Sequence, residues 1–171
     1  MNAQSRRNAI MEVLKAEEKP VSASTLAKQF NVSRQIIVGD IALLRASGAD
    51  ISATPKGYIL ARERGGVVRR IVCKHSGMER MAQELNICVD HGCCVLDVIV
   101  EHPVYGQLTG QLQLSTRYDV SQFLESVAQD KAHVLSELTD GIHLHTLRCP
   151  DEAAFQRVEE ALDREGLLVK N

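Results

Sequence analysis

Apolar residues recur at helical spacing along the first sixty positions. Ala9, Ile10, Val13 and Leu14 predict a helix from Ser5 to Ala16, ended by Lys19-Pro20. Ser22 offers a hydroxyl to cap a second helix, which runs through Leu26 to Phe30. Asn31-Val32 makes a tight turn and Ser33 caps a third helix. Ile37, Ile41 and Leu44 form that helix's buried stripe, and Gly48 stops it in the left-handed region. Two short helices separated by so small a turn make a helix-turn-helix. Residues 50–60 then read as two short strands around a Pro55-Lys56-Gly57 turn, the wing of a winged helix.

The pattern changes after a charged connector, Ala61 to Gly66. Strands are expected at 67–73, 93–101, 107–115, 142–147 and 167–169, and helices at 78–91, 120–129 and 151–165. Two adjacent strands among mixed elements imply an open sheet with helices on one face. The expected fold class is α+β: a winged helix-turn-helix over residues 1–62, followed by an open α/β sandwich over residues 67–171.

Charge sharpens this division. Residues 1–60 hold eight Lys/Arg against five acids, a balance of +3, and the other 111 hold twelve against seventeen, a balance of -5. A mildly basic head on an acidic body suits a head that meets phosphates. The longest apolar runs fall short of the roughly 18 residues that span a bilayer, and the first twenty residues lack a signal-peptide core, so the cytoplasm is the expected location. Cys73, Cys88, Cys93, Cys94 and Cys149 are odd in number, lack C-x-x-C spacing and sit in apolar runs, which predicts reduced packing residues.

The segment "LAKQFNVSRQIIVGDIALLRASG…ISATPKGYIL" resembles the winged-helix heads of bacterial repressors. In that geometry the outer N-terminal face of the third helix enters the major groove. Arg34 and Gln35 are the candidate base readers, since a guanidinium pairs with guanine and a carboxamide with adenine. Ser33, Arg6, Arg7, Arg45 and Lys56 are expected on phosphates of double-stranded operator DNA. Gly39 stands out, because a mid-helix glycine costs roughly 1 kcal/mol against alanine.

All six histidines lie beyond the connector. His143 and His145 flank Leu144 on a predicted strand, so both imidazoles project from one face, about 7 Å apart. His75 ends another strand, ahead of a helix whose Glu79 and Glu84 can turn toward the sheet. Such a donor set suits a divalent transition metal such as zinc, nickel or iron.

"KHS" before a helix, "LDVIVEHPVYGQLTG" and "LTDGIHLHTL" are similar to the three-histidine domain, which is fused to a winged helix in niacin-responsive repressors of NAD synthesis and salvage. The resemblance implies a homodimer that binds its operator when nicotinic acid or a related pyridine is present. It puts metal ligation on His75, His143, His145 and a carboxylate, Glu84 or alternatively Glu79, and puts His102 and Tyr105 near the effector. An enzyme is not expected, because H-E-x-x-H, a nucleophile elbow and a phosphate loop are all missing. The other reading is a metal-responsive regulator in which the ion itself is the signal.

Overall fold

The structure, a computed structural model, describes residues 2–61, 65–130 and 134–170. The central part of the expected connector, residues 62–64, lies outside them. The chain divides into two compact units, Met1–Glu63 and Arg64–Asn171. Among the described residues no helix is long and apolar enough to cross a membrane.

In the first unit, helices α1 (Ala3–Ala16), α2 (Ala23–Phe30) and α3 (Arg34–Ala46) precede strands β1 (Ile51–Thr54) and β2 (Gly57–Leu60). The Ser22 hydroxyl accepts from the Thr25 amide at 3.0 Å and the Ser33 hydroxyl from the Ile36 amide at 3.3 Å, so each cap satisfies an otherwise orphaned donor. Asn31 takes the left-handed turn between α2 and α3 at φ 51°. The predicted stripe of Ile37, Ile41 and Leu44 is buried against Ile10, Leu14 and Leu26. Each such side chain contributes roughly 1.5–3 kcal/mol by leaving water.

Val21 and Tyr58 exchange backbone hydrogen bonds of 2.8 Å, which extends the wing by one bridge. Gly57 adjoins this contact at φ +135°, where a Cβ would lie 2.3 Å from the Val21 carbonyl oxygen. Only glycine fits there.

Arg6 and Arg7 depart from expectation. Instead of being held out for phosphates, they grip Asp40 of α3, with Arg6 Nε 2.6 Å from one carboxylate oxygen and Arg7 Nη1 3.4 Å from the other. Asp40 is only 4% exposed. A carboxylate so far from water needs cations within reach, and α1 supplies them.

The second unit contains β3 (Val67–Lys74), α4 (Met78–Asp90), β4 (Cys94–His102), β5 (Gly106–Leu114), α5 (Arg117–Asp130), a 3-10 turn (Leu135–Thr139), β6 (Ile142–Cys149) and α6 (Glu152–Arg164). The strands form an open antiparallel sheet in the order β3-β6-β4-β5. Ile71, Cys73, Leu147 and Cys149 share one core with Leu85 and Cys88 of α4, Val120 of α5, and Phe155, Val158 and Leu162 of α6. The helices therefore cover the face from which the odd-numbered residues of β6 project.

Two further expectations change. The last predicted strand, 167–169, is a single bridge between Leu168 and Cys73, because the chain touches the edge of β3 for one step only. Cys93 and Cys149 are joined as a disulfide. The register that sets Cys94 opposite Arg148 carries Cys93 onto Cys149, a cross-strand meeting that spacing along the chain does not reveal. Cys73, Cys88 and Cys94 are free thiols.

Candidate functional site

Alternation along β6 sends His143 and His145 to the helix-covered face, and pairing with β3 sets Cys73 opposite His143 and Ile71 opposite His145. His75 follows directly after β3. Its backbone is held by Gly141, whose carbonyl accepts from the His75 amide at 3.3 Å. A Cβ on Gly141 would lie 2.2 Å from the His75 carbonyl oxygen, so Asp140-Gly141 fixes how closely the two histidine-bearing segments approach. From the opposite side, α4 turns Glu84, Leu85, Cys88 and Val89 inward.

These elements place three imidazoles around one carboxylate. His75 Nε2 meets Glu84 Oε2 in a very short contact. His143 Nε2 lies 3.1 Å from Oε2, and His145 Nε2 lies 3.4 Å from Oε1. Donor atoms of His75, Glu84 and His143 all fall within 4.8 Å of one another. His145 lies outside that tightest group while touching the same carboxylate. Glu84 is fully buried, whereas Glu79 is exposed, so the structure brings Glu84 and not Glu79 to the histidines.

The opposite ring nitrogens explain the orientation. His143 Nδ1 lies 2.9 Å from the Gly141 carbonyl and His145 Nδ1 lies 2.6 Å from the Asp97 carbonyl. Each Nδ1–H donates to an oxygen, which leaves Nε2 aimed at Glu84. An imidazole lone pair and a carboxylate repel each other unless a proton or a cation lies between them. Backbone oxygens that fix the outer nitrogen of a histidine are the usual support of a metal ligand. The residues fit a divalent ion.

Electrostatics agrees in direction. Burial opposes the charge on Glu84, but the charge of His145 and hydrogen bonds from His143, His145 and His75 outweigh it, holding the carboxyl well below its usual range. Burial also works against a charged His145, yet the Glu84 carboxylate and the Asp97 contacts raise its pKa. Burial, then the charge of Glu84, pushes the Cys73 and Cys88 thiols up, so both stay protonated beside the cluster. Nδ1 of His75 is buried without a hydrogen-bond partner. A cavity of about 100 Å³ is lined by His75, Ser76, Gly77, Met81, Ser136 and Gly141 among others.

His102 and Tyr105 are not among the residues lining that cavity. They stack on each other at the β4–β5 turn with ring centroids 5.0 Å apart, and His102 Nδ1 accepts from the amides of Val104 and Tyr105 at 3.2 Å. Tyr105 is 74% exposed. Sequence reasoning missed Gly141 and Asp97 as positioning residues. The Asp-Gly pair before H-x-H is a turn signal that can locate the first, but a backbone carbonyl supplied across strands leaves no local signature.

At the helix-turn-helix, Ser33, Arg34 and Gln35 are exposed at the start of α3. Arg45 is partly committed, since its Nε donates to the Ile51 carbonyl at 2.7 Å and braces the wing. Lys56 sits at the wing turn, where its amide donates to the Thr54 hydroxyl at 3.2 Å.

Comparison with known proteins gives two family matches: an HTH domain over residues 6–59 and a 3H domain over residues 68–171. The chain is 44% identical over 170 residues to a protein of Bacillus subtilis named transcription repressor NadR, covering 97% of this chain and 94% of that one. It is 41% identical over 167 residues to one of Thermotoga maritima named probable transcription repressor NiaR, covering 98% and 95%.

Proposed function

This chain belongs to the family of 3H-domain transcription repressors, DNA-binding proteins and not enzymes, and from that premise we propose that it represses genes of NAD synthesis and niacin salvage with nicotinic acid as co-repressor. The observation that carries this reading is the convergence of three imidazole Nε2 atoms on the buried carboxylate of Glu84 inside the 3H domain. His75, Glu84, His143 and His145 would hold a divalent ion, with zinc, nickel and iron all suited to nitrogen and oxygen donors. Such an ion supplies a Lewis-acid position that a pyridine carboxylate or ring nitrogen can meet.

The chain's own residues do the rest. His143 and His145 are held by backbone oxygens, so their rings cannot swing away from Glu84. His75 faces the cavity, and Ser76 and Ser136 offer hydroxyls there to a small polar molecule. The protein acts in the cytoplasm as a homodimer. Its two heads must match half-sites about 34 Å apart on the DNA. Nicotinic acid promotes repression only by binding the DNA-competent form more tightly than the other, since equal affinity shifts nothing.

The burial of Glu84, His143 and His145 also favours a second reading, in which the enclosed ion is itself the signal. Calorimetric titration of metal-analysed protein with nicotinic acid and with nicotinamide, repeated after chelation, separates the two. Micromolar nicotinic acid binding that disappears on chelation is expected. No binding in a folded, metal-loaded sample would sink the niacin reading, and operator affinity that follows metal alone would replace it with the second.

A further inference from the structure

The exposed side of α3 carries branched apolar residues beside its polar ones, where a surface helix is ordinarily polar. Ile36 is 42% exposed and Val38 40% exposed, although Ile37 between them is fully buried. At about 100° of turn per residue, Gln35 and Gly39 lie opposite the buried stripe of Ile37, Ile41 and Leu44, and Ile36 and Val38 flank Gly39 on either side. A Cβ built on Gly39 meets nothing within 4 Å, so packing inside the unit gives no reason for glycine there. The residue lowers helix propensity without relieving any internal contact. Its reason therefore lies outside the chain.

α3 is the second helix of the helix-turn-helix, the element that enters the major groove, so the occupant of this face is duplex DNA. Groove edges offer one apolar group, the 5-methyl of thymine, and aliphatic side chains read it by contact. We propose that Ile36 and Val38 read thymine methyl groups in the operator, and that Gly39 is the point of close approach that lets both reach the base edges. Gln35, one turn before Gly39 on the same line, contacts a neighbouring base. The operator half-site is then rich in thymine, read partly by shape-matched apolar contact and not by hydrogen bonds alone.

The test uses the full-length, metal-loaded protein to select binding sites from a pool of random duplexes, with and without nicotinic acid, so that failure of the niacin reading does not stop it. In the selected duplex each thymine is replaced in turn by deoxyuridine, which removes only the methyl group. Loss of about four-fold in affinity is expected at each contacted thymine, the equivalent of exposing one methyl-sized group. Ile36→Ala and Val38→Ala should each abolish the loss at one position while keeping their melting temperature and their binding to unrelated duplex. Gly39→Ala should melt higher than wild type yet bind the selected duplex at least about ten-fold more weakly. Deoxyuridine without effect at every position, or an effect that persists in both alanine variants, overturns the methyl contacts. Undiminished binding by a more stable Gly39→Ala overturns the close approach.

Discussion

Among the described residues each unit buries one carboxylate, and the two are treated differently. Asp40 in the helix-turn-helix is neutralised by Arg6 and Arg7, whose guanidiniums are charged at every relevant pH. Glu84 in the 3H domain faces three imidazoles, which carry positive charge only when protonated and otherwise present lone pairs. Asp40 is thus compensated unconditionally and fastens α1 to α3. Glu84 is compensated only by a proton or an ion, so its surroundings respond to what the solution supplies. Burial of a charge therefore does not by itself mark a functional site. The chemistry of the partners does.

The largest effect should come from breaking the unconditional pair. Replacing both Arg6 and Arg7 by alanine strands the Asp40 carboxylate and should cost about 4 kcal/mol in urea unfolding. Metal content should be unchanged; a loss of metal as well would show that the two carboxylates are not independent.

Chelation comes next. If metal is held at about a hundred times its Kd, removing it should lower stability by about 3 kcal/mol in wild type. Glu84→Gln should retain no metal and show no further loss on chelation. Equal sensitivity in both would remove Glu84 from the ligand set.

Gly141→Ala tests the geometry without touching a ligand. The new Cβ would sit against the His75 carbonyl at a positive φ, so the turn must open, at about 2 kcal/mol. Metal content measured after dialysis should fall, because His75 moves away from His143. Normal metal content would show that the cluster tolerates the shift.

The smallest effect belongs to a third carboxylate, which stays in water. Asp90 pairs with Arg117 at 2.7 and 2.5 Å, and that hydrogen bond lowers its pKa. A depressed carboxyl gives stability that is present above its unfolded value, near 3.9, and is lost as pH falls through the folded value. Melting of Asp90→Asn should therefore show a slightly weaker dependence on pH below 4 than wild type. Salt should erase the difference.

Local pattern foretold much of this. The stripe on α3, its Ser33 cap, the wing and the projection of His143 and His145 from one face all follow from periodicities of 3.6 and 2, which need no partner. The family motifs also singled out the three histidines that converge on Glu84. Glu79 and Glu84 were not separable by spacing, because both fall on the same helix and only the docking of α4 decides which faces the sheet. His102 and Tyr105 carry a motif, yet their place at an exposed turn is set by where β4 and β5 part.

By itself, then, the sequence determined the two units, the Ser22 and Ser33 helix caps, the alternation that aligns two histidines, and the exposed start of α3, since each depends on residues within a turn or a strand of one another. Only the tertiary structure decided that Arg6 and Arg7 serve Asp40, that Cys93 meets Cys149, that Glu84 enters the cluster, and that Gly141 and Asp97 orient its histidines. Those outcomes join residues far apart along the chain, such as Glu84 and His143, 59 positions apart. They depend on register and on which helix face packs inward, and close packing of the whole core settles both.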